Sequence, residues 1–428
     1  MKQQGSGVRP ACRTGRCQGS VSRYRETRRY LLQLLIIALA TSISHSFLTT
    51  QSRAFELSGY MTAEGRLFFH DALFTGQRRD SASIVVQPEF YHEWENGSSF
   101  LFTPFGRLDS ADSERSHFDI RELRYLWLHN SWELRIGAGK VFWGVTEFVH
   151  LVDIINQTDL VEDIDGEDKL GQPMVNLSIP GKYGVLDLFV LPYFRERTFL
   201  GEKGRLRSRV VIDTDEAEYE SSAEEYNVDL AARYSNTIGD WDFGIYHFHG
   251  TGREPTLLLR SDPAGNLTVV PLYERIDQTG LDVQTVKGNW LLKLESLYRT
   301  GQGEDFYAGV GGFEYSFVNV LSSGLDFGLI GEWAYDERGD EATTVFDNDV
   351  MAGARLAFND AASTEVLAGV FQDLDSDSCA VLLESGRRIS DHWKVTLDTF
   401  FVLESSEGDI LHDLREDDNL RIELWYYF

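Results

Sequence analysis

From residue 55 onward the sequence has no apolar run approaching the ~18 residues that a membrane-spanning helix requires. Cysteine is scarce. Cys12 and Cys17 lie in a basic N-terminal region and Cys379 stands alone, so residues 55–428 can form neither an internal disulfide nor a thiolate metal cluster. Positive charge is also short, with 40 Lys and Arg against 68 Asp and Glu and a formal net charge of −28. Nine of the basic residues but only Glu26 among the acidic ones fall within residues 1–54, which leaves −36 on residues 55–428. Such a chain repels nucleic acid and favours cations in any water-filled passage. Gly-x-Ser-x-Gly and His-Glu-x-x-His motifs are absent, as is the internal repeat of a solenoid or propeller. No enzymatic activity is expected, although a hydrolase can assemble its site from separated residues.

The N-terminus reads as a secretory signal. Arg23, Arg25, Arg28 and Arg29 precede the short apolar core Leu31–Ala40, and Ser52-Arg-Ala54 supplies small residues for cleavage before Phe55. An uncleaved anchor would need a longer apolar run. Arg28-Arg29 also looks like a twin-arginine signal, but that route carries folded proteins, so the general secretory route is expected. The organisation is thus 1–54, signal and basic leader, and 55–428, the mature body.

In that body, segments of roughly 10–14 residues alternate apolar and polar side chains, separated by turn residues. Eighteen strands are expected, with sixteen the alternative count. They are 55–70, 81–94, 98–109, 117–129, 132–142, 172–179, 183–195, 224–236 and 240–250. The second half gives 267–286, 289–300, 306–318, 324–337, 347–359, 363–374, 377–389, 392–404 and 418–428. The links alternate too: all eight even-to-odd links are short, such as Asn130-Ser131 and Lys287-Gly288, and most odd-to-even links are long. Trp and Tyr at the strand ends suit two aromatic girdles. A soluble β-sandwich alternates as well, but needs no secretion signal.

The chain ends Leu420-Arg-Ile-Glu-Leu-Trp-Tyr-Tyr-Phe428, with Leu420, Ile422, Leu424, Tyr426 and Phe428 on one strand face. This ending resembles the C-terminal strand of Gram-negative outer-membrane β-barrels, whose final Phe is read by the barrel-assembly machinery. A second resemblance lies after the fifth strand, in Gly139-Lys-Val-Phe-Trp-Gly144 followed by Asp153-Ile-Ile-Asn156-Gln-Thr-Asp159. It is similar to porin-like outer-membrane barrels. The resemblance implies an all-β transmembrane antiparallel barrel whose loop after strand 5 folds inward and narrows a channel. It also implies a bacterial outer-membrane location, with outer-membrane lipid, lipopolysaccharide, the assembly machinery (through Leu420–Phe428) and small solutes as partners.

The loop itself, Trp143–Gly171, is too apolar to be fully solvated. Phe148, Leu151, Val152 and Ile155 recur at helical spacing, which predicts a short helix packed on the inner wall. The constriction candidates are Glu147, Asp153, Asn156, Asp159, Glu162, Asp163, Asp165, Glu167 and Asp168, expected to concentrate negative field. An external lid with a solvated acidic tip is the competing reading. The basic wall facing these acids is expected at Arg66, Arg107, Arg124, Arg135, Arg233, Lys293, Arg299 and Arg355, with Lys394 and Arg421 on the same face.

His247-x-His249 can chelate a metal, but its strand face also carries Trp241, Phe243 and Ile245, which marks interfacial histidines. No cofactor is expected. Divalent cations could sit at the acidic surface loops, Asp213 to Glu225 and Asp373 to Asp377. The sequence therefore points to a passive channel for small polar solutes or ions. The alternatives are a surface binding or structural barrel with a plugged lumen and, more remotely, an outer-membrane hydrolase.

Overall fold

The structure, a computed structural model, describes residues 55–261 and 267–428; the signal-peptide reading of residues 1–54 lies outside them. The chain forms β1 (Glu56–Phe68), β2 (Ser81–Glu93), β3 (Ser99–Asp109), β4 (Phe118–His129), β5 (Trp132–Gly139), β6 (Gln172–Gly181) and β7 (Gly184–Leu191). Next come β8 (Glu218–Tyr219), β9 (Asp229–Ile238), β10 (Trp241–Thr251), β11 (Thr256–Ser261), β12 (Leu267–Tyr273), β13 (Arg275–Lys287) and β14 (Trp290–Thr300). The last third adds β15 (Phe306–Phe317), β16 (Asp326–Asp336), β17 (Asn348–Ala357), β18 (Glu365–Asp373), β19 (Cys379–Arg388), β20 (Trp393–Glu404) and β21 (Asn419–Tyr427).

Eighteen of these close into one antiparallel barrel. The seam is β1 on β21, running in register from Tyr60–Tyr427 to Phe68–Asn419, so neither terminal strand is left as a free edge. The remaining three, β8, β11 and β12, form a small separate sheet in which β12 runs parallel to β8.

Alternation decides which face each side chain takes. In β16, Leu329, Trp333 and Tyr335 are exposed, whereas Ile330, Glu332 and Ala334 are buried to 5% exposure or less. In β21, Ile422 and Leu424 are exposed while Glu423 is buried, and Phe428 just past its end is exposed too. The exposed face is thus apolar and the buried face carries the charge.

The eight expected short links are two to eight residues long, and six of the others run from 11 to 37. Three boundaries differ most from the sequence reading. The strand expected over 267–286 is two strands, β12 in the small sheet and β13 in the barrel, divided at Glu274. The strand expected from Glu224 starts at Asp229, because Glu224–Tyr226 forms a 3-10 turn. β7 stops at Leu191, just before Pro192, which lacks a ladder donor. Proline also breaks the β2–β3 ladder. Pairing jumps from Val86–Gly106 to Phe90–Phe102 across the stretch that holds Pro88 and Pro104.

Candidate functional site

The link from β5 to β6, residues 140–171, is the segment whose contacts reach furthest round the barrel. Asn156 ties its two ends together. Its side chain accepts from the Val141 amide at 2.8 Å and donates to the carbonyls of Gly139 and Leu170 at 2.8 Å each. Asp153 gathers the entrance turn by accepting from the amides of Trp143 (2.6 Å) and Gly144 (3.0 Å).

The next residues meet the buried face of distant strands. Glu295 of β14 is fully buried and accepts from the amides of Val145 (2.5 Å), Thr146 (2.9 Å) and Val152 (3.1 Å). Glu332 of β16 accepts from the amides of Glu147 (2.6 Å) and Phe148 (3.0 Å). These bonds correct the expected helix: residues 143–171 contain none. Amides that would close helical turns donate to strand carboxylates instead, so the apolar residues are free to diverge. Val152, Ile154 and Ile155 pack with Trp143, Phe189, Tyr246 and Phe248, while Phe148 and Val149 pack with Val310, Ala334 and Met351. Each such burial contributes about 1.5–3 kcal/mol.

Four of the segment's acids are ion-paired with cations on the strands. Glu147 pairs with Lys293 at 3.3 Å and with Arg355. Asp159 pairs with Arg121 and Glu162 with Arg107, each at 2.6 Å. Asp163 pairs with Arg66 at 3.1 Å and with Arg421. Burial would raise the Asp163 pKa, but Arg421 and Arg66 hold it down to about 2. A buried ion pair persists only when its remaining polar atoms are also bonded. Here Glu64 completes the set by accepting from both Arg107 (2.6 Å) and Arg115 (2.7 Å), and the Arg115 Nε donates to the Val161 carbonyl at 2.8 Å.

The other acids sit differently. Asp165 is exposed and accepts from the Glu167 amide at 3.0 Å. Glu167 reaches His150 at 2.6 Å; burial lowers the His150 pKa, and the Glu167 carboxylate more than reverses this. Asp168 is half-buried, and burial and the Glu162 charge push it up to about 6 against Arg121 and Lys140.

Of the eight expected wall cations, Arg66, Arg107, Lys293 and Arg355 meet the segment's acids. The other four do not. Arg135 pairs with Glu133, Arg233 with Asp282 while lying over the Trp143 ring, and Arg299 with Glu254. Arg124 lines a cavity of about 260 Å³ with Arg135, Lys140, Trp143 and Met174. The residues that sequence reasoning missed are Glu64, Arg115, Arg121, Glu295 and Glu332. Strand parity gives Glu295 and Glu332 a buried-face position, yet nothing local signals that they bind amides of another segment. Arg115 lies in a link and has no parity at all.

His247 and His249 stand on the exposed face, bonded to Thr279 and Asp277 at 2.9 Å each, and Arg275 lies 2.8 Å from His249. Among the described residues, neither acidic surface run gathers three ligand atoms within metal reach. Asp373 instead accepts from the amides of Asp375 (2.7 Å) and Ser376 (3.2 Å) of its own turn.

No family model matches the chain, and no curated protein does either. Solved structures do. A BenF-like porin from Pseudomonas fluorescens Pf-5 overlays with a TM-score of 0.51 at 10% identity, covering 88% of this chain and 98% of that one. OccK8 (OprE) of Pseudomonas aeruginosa gives 0.49 at 11% identity over 87% of this chain and 98% of that one. OprB of Pseudomonas putida gives 0.46 at 9% identity, with coverages of 87% and 94%. At a tenth identity the first of these likenesses is one of fold: this chain has a porin-like barrel.

Proposed function

We propose that this protein is a porin-like channel of the bacterial outer membrane that passes small polar solutes or ions by passive diffusion. The observation that carries the reading is the closed barrel with an apolar exposed face and a charged buried face, joined to a 32-residue segment ion-paired to strands around it. An apolar belt suits lipid, and inward charges need water or partners. The segment 140–171 folds into the lumen and sets its bore. Partners of this reading are outer-membrane lipid and lipopolysaccharide around the belt, and the barrel-assembly machinery at Leu420–Phe428.

Cation preference follows from charge. The chain is acidic overall, and among the described residues Asp168 makes no ion pair, in contrast to Glu147, Asp159, Glu162 and Asp163. Planar-bilayer recording of the refolded protein tests the channel: stepwise conductance supports it, and its absence from folded protein ends it. Reversal potentials in a salt gradient test selectivity separately.

A second reading has its own support. The segment is anchored on β1, β3, β4, β14, β16, β17 and β21, which is most of the way round the wall, and would suit a plug in a surface binding barrel. Deleting Thr146–Asp168 separates the two. A constriction conducts before deletion and conducts more after it, whereas a plug conducts only after it.

A further inference from the structure

His117 closes the outer end of the β3–β4 hairpin, where its backbone exchanges hydrogen bonds with Arg107 at 2.9 and 3.1 Å. Its Nδ1 lies 3.1 Å from the Arg115 carbonyl. A carbonyl can only accept, so Nδ1 carries the hydrogen and the neutral ring presents a lone pair at Nε2. That Nε2 is enclosed and has no hydrogen-bond partner. It faces Asp159 Oδ2 at 3.7 Å and Glu162 Oε1 at 3.6 Å, and the three atoms lie within 4.8 Å of one another. Arg121 lies against both carboxylate oxygens, 2.6 Å from Asp159 Oδ2 and 4.0 Å from Glu162 Oε1, but makes no hydrogen bond to Nε2, so the imidazole lone pair faces the two carboxylates with no donor of its own.

The distances choose what would satisfy it. They exceed the 2.7–3.2 Å of an N–H···O bond, so a proton on Nε2 would leave both contacts long. They suit a metal ion instead. Bonds of about 2.0–2.2 Å to nitrogen and oxygen place neighbouring tetrahedral ligands roughly 3.3–3.6 Å apart. A carbonyl behind the other ring nitrogen is also the usual support of a metal-bound imidazole.

We propose that His117, Asp159 and Glu162 bind a divalent first-row transition cation, of the Zn²⁺ or Mn²⁺ type, which clasps the 140–171 segment to the β3–β4 hairpin. One imidazole and two carboxylates fit such ions better than Cu⁺, which prefers sulfur. The charge around the site allows it. Arg107, Arg115, Arg121 and Arg195 form one ion-pair network with Glu64, Asp109, Asp119, Asp159 and Glu162, joined across its middle by Arg121 and Glu162 at 4.0 Å, which leaves one negative charge in excess. Arg121 (2.6 Å from Asp159 Oδ2) and Arg107 (2.9 Å from Glu162 Oε1) hold the carboxylates in place and moderate the affinity by their charge. The site does not depend on whether the lumen conducts.

The test uses the full barrel folded in detergent, carrying His247→Ala and His249→Ala so that the exposed imidazole pair of β10 cannot bind. After chelator treatment, ZnCl2 and MnCl2 are titrated at pH 7.5 by calorimetry, with bound metal counted by elemental analysis. One ion per barrel is expected, with affinity falling at least tenfold in both His117→Ala and Glu162→Gln. Heat-modifiable gel mobility shows which variants are folded, and either one alone suffices. No binding by the folded parent overturns the proposal. So does equal affinity in a folded variant, or a His117 resonance that titrates with protons and ignores metal.

Discussion

The carboxylate of Glu295 in β14 accepts the hydroxyl hydrogen of Thr146 at 2.6 Å, joining residues 149 apart in sequence. The same carboxylate accepts three backbone amides, so one fully buried side chain fixes the path of residues 145–152.

Truncating that anchor should loosen the segment without opening the barrel. Glu295→Ala leaves three amides without their acceptor, at about 1–3 kcal/mol for each group left buried and unbonded, while the Thr146 hydroxyl keeps the Val149 carbonyl as its acceptor at 2.5 Å. Water entering the lumen will relieve part of this. The expected outcome is a heat-modifiable barrel with larger and noisier single-channel conductance; Glu295→Gln, which keeps one acceptor oxygen, should fall between. Unchanged conductance with Ala would show that the amides find other partners at no cost.

Neutralising the pair partner of the wall cations should weaken cation preference. Glu147 is half-buried between Lys293 and Arg355, so Glu147→Gln releases two positive charges toward the passage. Local charge governs ion selectivity at a narrow point. The cation-to-anion permeability ratio should fall by about twofold or more, read as a shift in reversal potential, while Arg355→Ala should move it the other way.

The eighteen barrel strands were legible because alternation is a property of each strand alone, as in Leu329, Trp333 and Tyr335 against Ile330, Glu332 and Ala334. The segment was legible only as a location. Its apolar residues were seen, but Phe148, Leu151, Val152 and Ile155 gave a helical period that the Glu295 and Glu332 carboxylates override. The same limit applies to charge. Spacing showed many acids between 147 and 168, but which of them meet guanidinium groups depends on strands from both ends of the chain.

Acidification should reduce cation preference with a midpoint near pH 6. Asp168 has a pKa of about 6, raised by burial and by the Glu162 charge. It is ionised at pH 8 and protonated at pH 5, so the negative charge it offers is lost as pH falls through that value. Reversal potentials between pH 8 and pH 5 should follow this curve, and Asp168→Asn should flatten it. A midpoint that persists in the variant would assign the titration to another group.

The tightest backbone approach in the wall sets the last expectation. Gly137 of β5 has φ +133°, a conformation that side-chain-bearing residues rarely adopt, and a Cβ placed there would lie 1.8 Å from the Leu123 carbonyl oxygen of β4. Both effects act in the same direction. Backbone strain of this kind costs on the order of 1–3 kcal/mol, and the overlap can be relieved only by parting two hydrogen-bonded strands. The neighbouring pairs Arg124–Gly137 and Tyr125–Ile136 would stretch with it. Gly137→Ala should therefore lower the stability of the folded barrel by roughly 3 kcal/mol or more, seen as a drop in the urea midpoint of the folded band on unheated gels. Gly166, whose φ is +82° but which has no atom within 4 Å of an added Cβ, gives the comparison. Its alanine variant carries the backbone strain without the overlap, so it should lose less. Equal losses would mean that strand separation at Gly137 is easy and that the strain alone matters.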